Sequence, residues 1–96
     1  MSKNGGKQTK KQKKVTFKFV APDAENVSLV GNFNDWDKSK HPMKKEGNGI
    51  WSKTVTLGCG VHQYKFLADD KWVEDPDNEK LAPNEFGTLN NIIDVK

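Results

Sequence analysis

Two of the three tryptophans in this sequence stand where nothing in the pattern demands burial. Trp36 lies among Asn32, Asn34, Asp35 and Asp37, and Trp72 follows Asp69-Asp70-Lys71. Exposing an indole forfeits the hydrophobic contribution of a large ring. A ring so placed either folds back over the end of the domain or serves a ligand. Between the two runs His62-Gln63-Tyr64-Lys65-Phe66-Leu67-Ala68. Alternation puts Tyr64, Phe66 and Ala68 on one face of a strand and Gln63, Lys65 and Leu67 on the other. The aromatic face must be core, which turns Lys65 outward. Residues 75–89 read as one long loop with two prolines, and loops beyond ~12–15 residues in a compact domain are usually functional or disordered. Flat aromatic faces beside ammonium, amide and hydroxyl groups suit a pyranose ring. Its C–H face stacks on an indole and its fringe of hydroxyls takes hydrogen bonds. Two platforms set at an angle would favour a curved chain, such as an α-1,4-glucan, over a flat one.

Other chemistry is poorly supported. His41 and His62 have no nucleophile or carboxylate at motif spacing, and neither a Gly-x-Ser-x-Gly elbow nor a phosphate-cradling glycine loop occurs. Cys59, the single cysteine, sits between two glycines in a predicted turn and reads as incidental. The carboxylates Asp69, Asp70, Asp75, Asp77 and Glu79 lack the offsets of a calcium loop and are interrupted by Pro76. The sequence therefore predicts no enzyme, no metal and no cofactor.

The elements that must position these residues have period two. Val15–Phe19, Val27–Val30, Met43–Glu46, Ile50–Leu57, Val61–Ala68, Trp72–Glu74 and Ile92–Val95 read as short strands separated by Gly, Pro, Asn and Asp. Gly47-Asn48-Gly49 carries a tight-hairpin signal. Trp51 shares a face with Val55 and Leu57 and is predicted to be core. The one helical candidate, Asp77–Lys80, stops near Pro83. This pattern predicts an all-β, immunoglobulin-like antiparallel β-sandwich.

Charge separates the chain into two parts. The net charge of +3 comes from 16 Lys, with no Arg, against 13 Asp and Glu. Six of the Lys fall in residues 1–14, which hold no acid; the other ten face all 13 acids, leaving residues 15–96 at −3. Residues 1–14 are predicted to be a disordered Lys-rich tail, and residues 15–96 the folded module. A mildly acidic module argues against a nucleic-acid-binding face, and no apolar run is long enough to span a bilayer. A lone cysteine and the lack of a secretory signal favour a reducing, cytoplasmic setting.

Four blocks in order carry a family resemblance: Gly31-Asn32-Phe33-Asn34-Asp35-Trp36, His62-Gln63-Tyr64-Lys65-Phe66, Asp70-Lys71-Trp72-Val73-Glu74-Asp75-Pro76 and Phe86-Gly87-Thr88-Leu89-Asn90-Asn91-Ile92-Ile93. Over residues 15–96 the chain resembles the glycogen-binding domains of AMP-activated protein kinase beta subunits and, more broadly, family 48 of the carbohydrate-binding modules. The resemblance implies that Trp36 and Trp72 stack on glucose rings, that Lys65 and Asn90 hydrogen-bond sugar hydroxyls, and that Thr88 contacts sugar from the same loop. Phe86 stands where the kinase members carry Leu, so it would either extend the platform or obstruct a cyclic ligand. The implied ligand is an α-glucan. The alternative role is docking a kinase or glycoside hydrolase catalytic domain, with glucan binding secondary.

Overall fold

A computed structural model describes residues 11–96. The expected tail over residues 1–10 lies outside the described residues. Gln12–Lys14, counted with that tail, are instead the start of a strand: β1 spans Gln12–Val20 and pairs Gln12 with Gly58. Alternation in the sequence weakens at these polar residues because they extend past the core, and backbone pairing rather than burial defines them.

The remaining strands are β2 (Val27–Gly31), β3 (Lys44–Lys45), β4 (Ile50–Gly58), β5 (Gly60–Ala68), β6 (Lys71–Val73), β7 (Leu81–Pro83) and β8 (Leu89–Val95). They form two antiparallel sheets. One has the order β1-β4-β3; the other has the order β2-β5-β8-β7, with β6 also pairing β5. The all-β sandwich expected from the pattern is what the chain forms. Among the described residues the only helical turns are single 3-10 turns at Asn32–Asn34 and Gly47–Gly49, and no helix is long and apolar enough to cross a membrane. Asp77–Lys80 is not helical. The expected 75–89 loop is divided by β7, and the last strand begins at Leu89, three residues earlier than alternation suggests.

The core lies between the sheets. Phe17, Phe19, Trp51 and Leu57 from the first sheet meet Val27, Leu29, Tyr64, Phe66 and Val95 from the second. Phe17 meets Tyr64 edge-on with ring centroids 4.8 Å apart, and Phe19 meets Phe66 at 4.7 Å. The chain crosses between sheets along the outer edge of β2. There Leu29 N donates to His41 O (2.9 Å) and Met43 N to Val27 O (2.8 Å) before the chain enters β3. That edge is thereby covered, as sandwiches require.

Trp51 is core, and its indole Nε1 donates to Ala21 O at 2.9 Å. Trp51→Ala is expected to cost about 3–5 kcal/mol by emptying this volume, and it also removes one of the two hydrogen bonds that Ala21 O accepts, leaving the one from Ala24 N. A denaturant melt should therefore show most of the stability of so small a domain lost. A Trp51→Ala midpoint close to that of the unmodified chain would contradict the assignment.

Candidate functional site

The site grows from the face of the second sheet that points away from the core. On β5 this face carries Gln63, Lys65 and Leu67, and β2 sets Val30 beside Lys65 and Ser28 beside Leu67. Lys65 points to this side as alternation requires, but it is only 8% exposed. The expectation of a freely exposed lysine is thus corrected. Loops from both sides rise over the sheet and bury the aliphatic stem, a placement sequence alternation cannot register.

The first loop follows β2. Gly31 admits no side chain: an added Cβ would sit 2.5 Å from Gln63 O and 2.6 Å from the Phe33 ring. The buried Asn34 then organises the turn. Its Oδ1 accepts from Gly31 N (3.1 Å), and its Nδ2 donates to Leu29 O (3.0 Å) and to His41 Nδ1 (2.8 Å). Beyond it Asp35 and Trp36 both take φ of 58°, and Trp36 N donates to Gly31 O at 2.9 Å. A tryptophan in the left-handed region is uncommon and costs roughly 1–3 kcal/mol. The turn maintains it through these bonds and holds the indole out, 37% exposed.

The second platform comes from the β5–β6 hairpin. Ala68 pairs with Lys71, so Asp69-Asp70 is a two-residue connection, with φ of 48° and 68°. Positive φ at both positions matches the twist of the strands. The Asp69 carboxylate accepts from Glu25 N (3.0 Å) and Asn26 N (2.9 Å), tying the hairpin tip to the loop before β2. Trp72 follows at once, opposite Leu67 and 45% exposed.

The third element is the loop between β7 and β8, centred on Asn84. Its Oδ1 accepts from Phe86 N (2.9 Å) and Thr88 N (3.2 Å); its Nδ2 donates to Thr88 Oγ1 (2.7 Å) and Asn90 Oδ1 (2.9 Å). The carboxamide is used completely. The network continues through Asn90 Nδ2 to Gln63 Oε1 (3.0 Å), and Lys65 Nζ donates to Thr88 Oγ1 (3.2 Å). Phe86 stands at the rim, 82% exposed, with Gly87 at φ 81° behind it.

These parts enclose one cleft of about 790 Å³, lined by Trp36, Lys65, Trp72, Phe86, Thr88 and Asn90 together with Gln63, Asn84 and Glu85. The structure brings all six residues singled out in the sequence to one place. The other three were missed. Gln63 shares the parity of Lys65, a signal that was available. Asn84 and Glu85 follow Pro83 in a stretch with no alternation, and only the loop's folded shape reveals them. Among the described residues the single ion pair joins Lys96 to Asp94, so the Lys65 ammonium has no carboxylate partner and keeps donors free. The cleft therefore offers two half-exposed indoles and one exposed phenyl ring around a floor of amide, hydroxyl and ammonium groups. No cluster of His, Cys, Asp or Glu among the described residues could hold a metal.

Asn84→Ala is expected to release the 84–90 loop, weakening ligand binding about tenfold while lowering stability by about 1–3 kcal/mol. Titration calorimetry beside thermal melting checks both. His41 supplies a pH dependence. Asn34 Nδ2 can only donate, so His41 Nδ1 must carry a lone pair and the ring is neutral. Burial, then the nearby Lys53 and Lys40, hold its pKa below the ordinary 6.5. The unfolded chain thus takes up the proton first, and this contribution to stability is complete above about pH 6.5 and lost as the pH falls from there through the folded value. Melting temperature should drop between pH 7 and 5.5, and the drop should be smaller in His41→Gln.

Residues 13–96 match the family described as the glycogen recognition site of AMP-activated protein kinase. The 5'-AMP-activated protein kinase subunit beta-1 of Sus scrofa is 43% identical over 72 residues, covering 75% of this chain and 56% of that protein. The human beta-1 subunit is 42% identical over the same length, 25% of its own chain, and the mouse beta-2 subunit 40%, 26% of its chain. The chain thus spans about half to a quarter of these relatives. With the match running through both sheets and every loop of the cleft, the chain belongs to the family of glycogen recognition sites of AMP-activated protein kinase.

Proposed function

We propose that the domain is a non-catalytic module that binds α-1,4-linked glucan by stacking sugar rings on Trp36 and Trp72. The observation that carries this reading is the pair of half-exposed indoles set on rigid turns beside Lys65, Thr88 and Asn90. Each indole takes the C–H face of a glucose. Lys65 and the amides take its hydroxyls. Phe86 adds a third apolar face at the rim. The cleft is formed by one face of a sheet, with loops on two sides that carry the two indoles, and a curved chain could follow it from one ring to the other. Two stacking contacts and a few hydrogen bonds give an affinity of roughly micromolar to millimolar.

The relatives are named as kinase subunits. This supports a second, compatible role: the module works within an assembly containing a kinase catalytic subunit and brings it to glucan particles. The exposed free thiol of Cys59 suits a cytoplasmic setting.

Calorimetric titration with maltoheptaose and β-cyclodextrin, against a cello-oligosaccharide of equal length, tests the reading. The two α-glucans should bind and the cello-oligosaccharide should not. Trp36→Ala and Trp72→Ala should each weaken maltoheptaose binding tenfold or more, about 1.4 kcal/mol, and shift melting by only a few degrees. Binding should barely respond to salt, because a neutral glucan releases no counterions; steep weakening with salt would point to an anionic ligand. Unfolding of both tryptophan variants would make the rings structural plugs and end the two-platform reading.

A further inference from the structure

The outward face of β5 does not stop at the cleft. Leu67 is the next outward residue after Lys65, about 7 Å further along the strand, and it floors a second compartment of about 480 Å³. Glu25, Ser28, Lys38 and Asp70 line this space with it. Leu67 pairs with Trp72 on one side and Ser28 on the other, so a residue lining the first space is the strand neighbour of one lining the second. Lys38 stands at the junction. It follows Trp36 by two residues, and its Nζ lies 5.7 Å from the centroid of the Trp72 ring. One loop therefore supplies the platform of the first space and a donor to the second.

The chemistry of the second compartment narrows what fits. Asp69 is committed to the backbone N–H groups of Glu25 and Asn26, so it builds the wall rather than offering a contact. The carboxylates of Glu25 and Asp70 have no ion-pair partner among the described residues. Two acceptors, a hydroxyl, one ammonium and a small apolar floor suit a neutral polyol, which both donates and accepts. The net negative lining repels a phosphate ester, and the described residues offer no metal site here.

Resting on the glucan reading, we propose that this compartment is a second sugar subsite, occupied by the continuing end of a long α-glucan chain that has passed Trp72, and that Lys38 is a specificity-determining residue for chain length. A short oligosaccharide fills the first cleft and does not reach Leu67; a longer one does.

Titration calorimetry with maltotriose and maltoheptaose tests this. Ser28→Leu fills the compartment from its floor and should lower maltoheptaose affinity fivefold or more while leaving maltotriose within twofold. Lys38→Met keeps the stem and removes the ammonium, and should lower maltoheptaose affinity two- to threefold with the same selectivity. If Ser28→Leu does not fold, amide chemical shifts of the unmodified chain decide: Ser28, Leu67 and Asp70 should move with maltoheptaose and stay still with maltotriose. Equal losses for both sugars, no loss for either, or unmoved amides overturn the second subsite and leave the first intact. Failure of the unmodified chain to bind either sugar overturns the glucan reading itself, and this subsite with it.

Discussion

The carboxamide of Asn91, completely buried in β8, is the interaction on which the cleft depends. A buried amide must find partners or cost its full desolvation, and Asn91 finds them in the connection between β6 and β7. Its Oδ1 accepts from Asp75 N (2.6 Å) and its Nδ2 donates to Asn78 O (2.9 Å). Around it, the Tyr64 hydroxyl donates to Asp75 Oδ2 (2.8 Å), and Asn78 Nδ2 reaches both Tyr64 Oη and Ile92 O. Burial, with the adjacent Asp75 carboxylate, pushes the Tyr64 pKa up, so this hydroxyl remains a donor throughout the physiological range. The network seals a polar segment against the second sheet. It thereby sets the distance between Trp72, which precedes the segment, and the Asn84 loop, which follows it.

How much of this was legible in the sequence depends on what kind of force places each residue. Strands with one buried face announce themselves by alternation, so Trp51, and Tyr64 with Phe66, were assigned to the core from pattern alone. Trp36 and Trp72 were legible for the opposite reason, as large rings in segments too polar to bury them. Lys65 was half legible. Parity gave its direction, but its burial comes from loops folded over it, and parity contains no information about what lies above a sheet. Asn84 and Asn91 were illegible in role. Each acts through a carboxamide whose partners are backbone and side-chain groups brought close only by the fold. Lys53 shows the same limit from another side. It has the parity of Trp51 and pairs with Phe17, yet it is a charge, tolerated where β3 is too short to pair alongside it.

Backbone strain concentrates at the cleft. Trp36 and the Asp69-Asp70 pair all hold positive φ without being glycine. In each case a side-chain carboxamide or carboxylate bonded to backbone N–H groups stabilises the neighbouring turn. The arrangement exchanges local conformational energy for rigid presentation. A platform already fixed loses little entropy when a sugar settles on it, which matters for a ligand whose individual contacts are weak.

The separation between Phe86 and its support has a consequence for how this surface can change. The backbone of the loop is held by Asn84, while the Phe86 ring touches solvent over most of its area and contributes nothing to the sheets beneath. The rim residue can be exchanged for a larger, smaller or polar one without a folding cost that selection would have to remove. The domain thus has one interchangeable tooth on a fixed jaw. Carbohydrate preference could diversify there, in nature or in a laboratory library, while every residue that builds the fold stays the same.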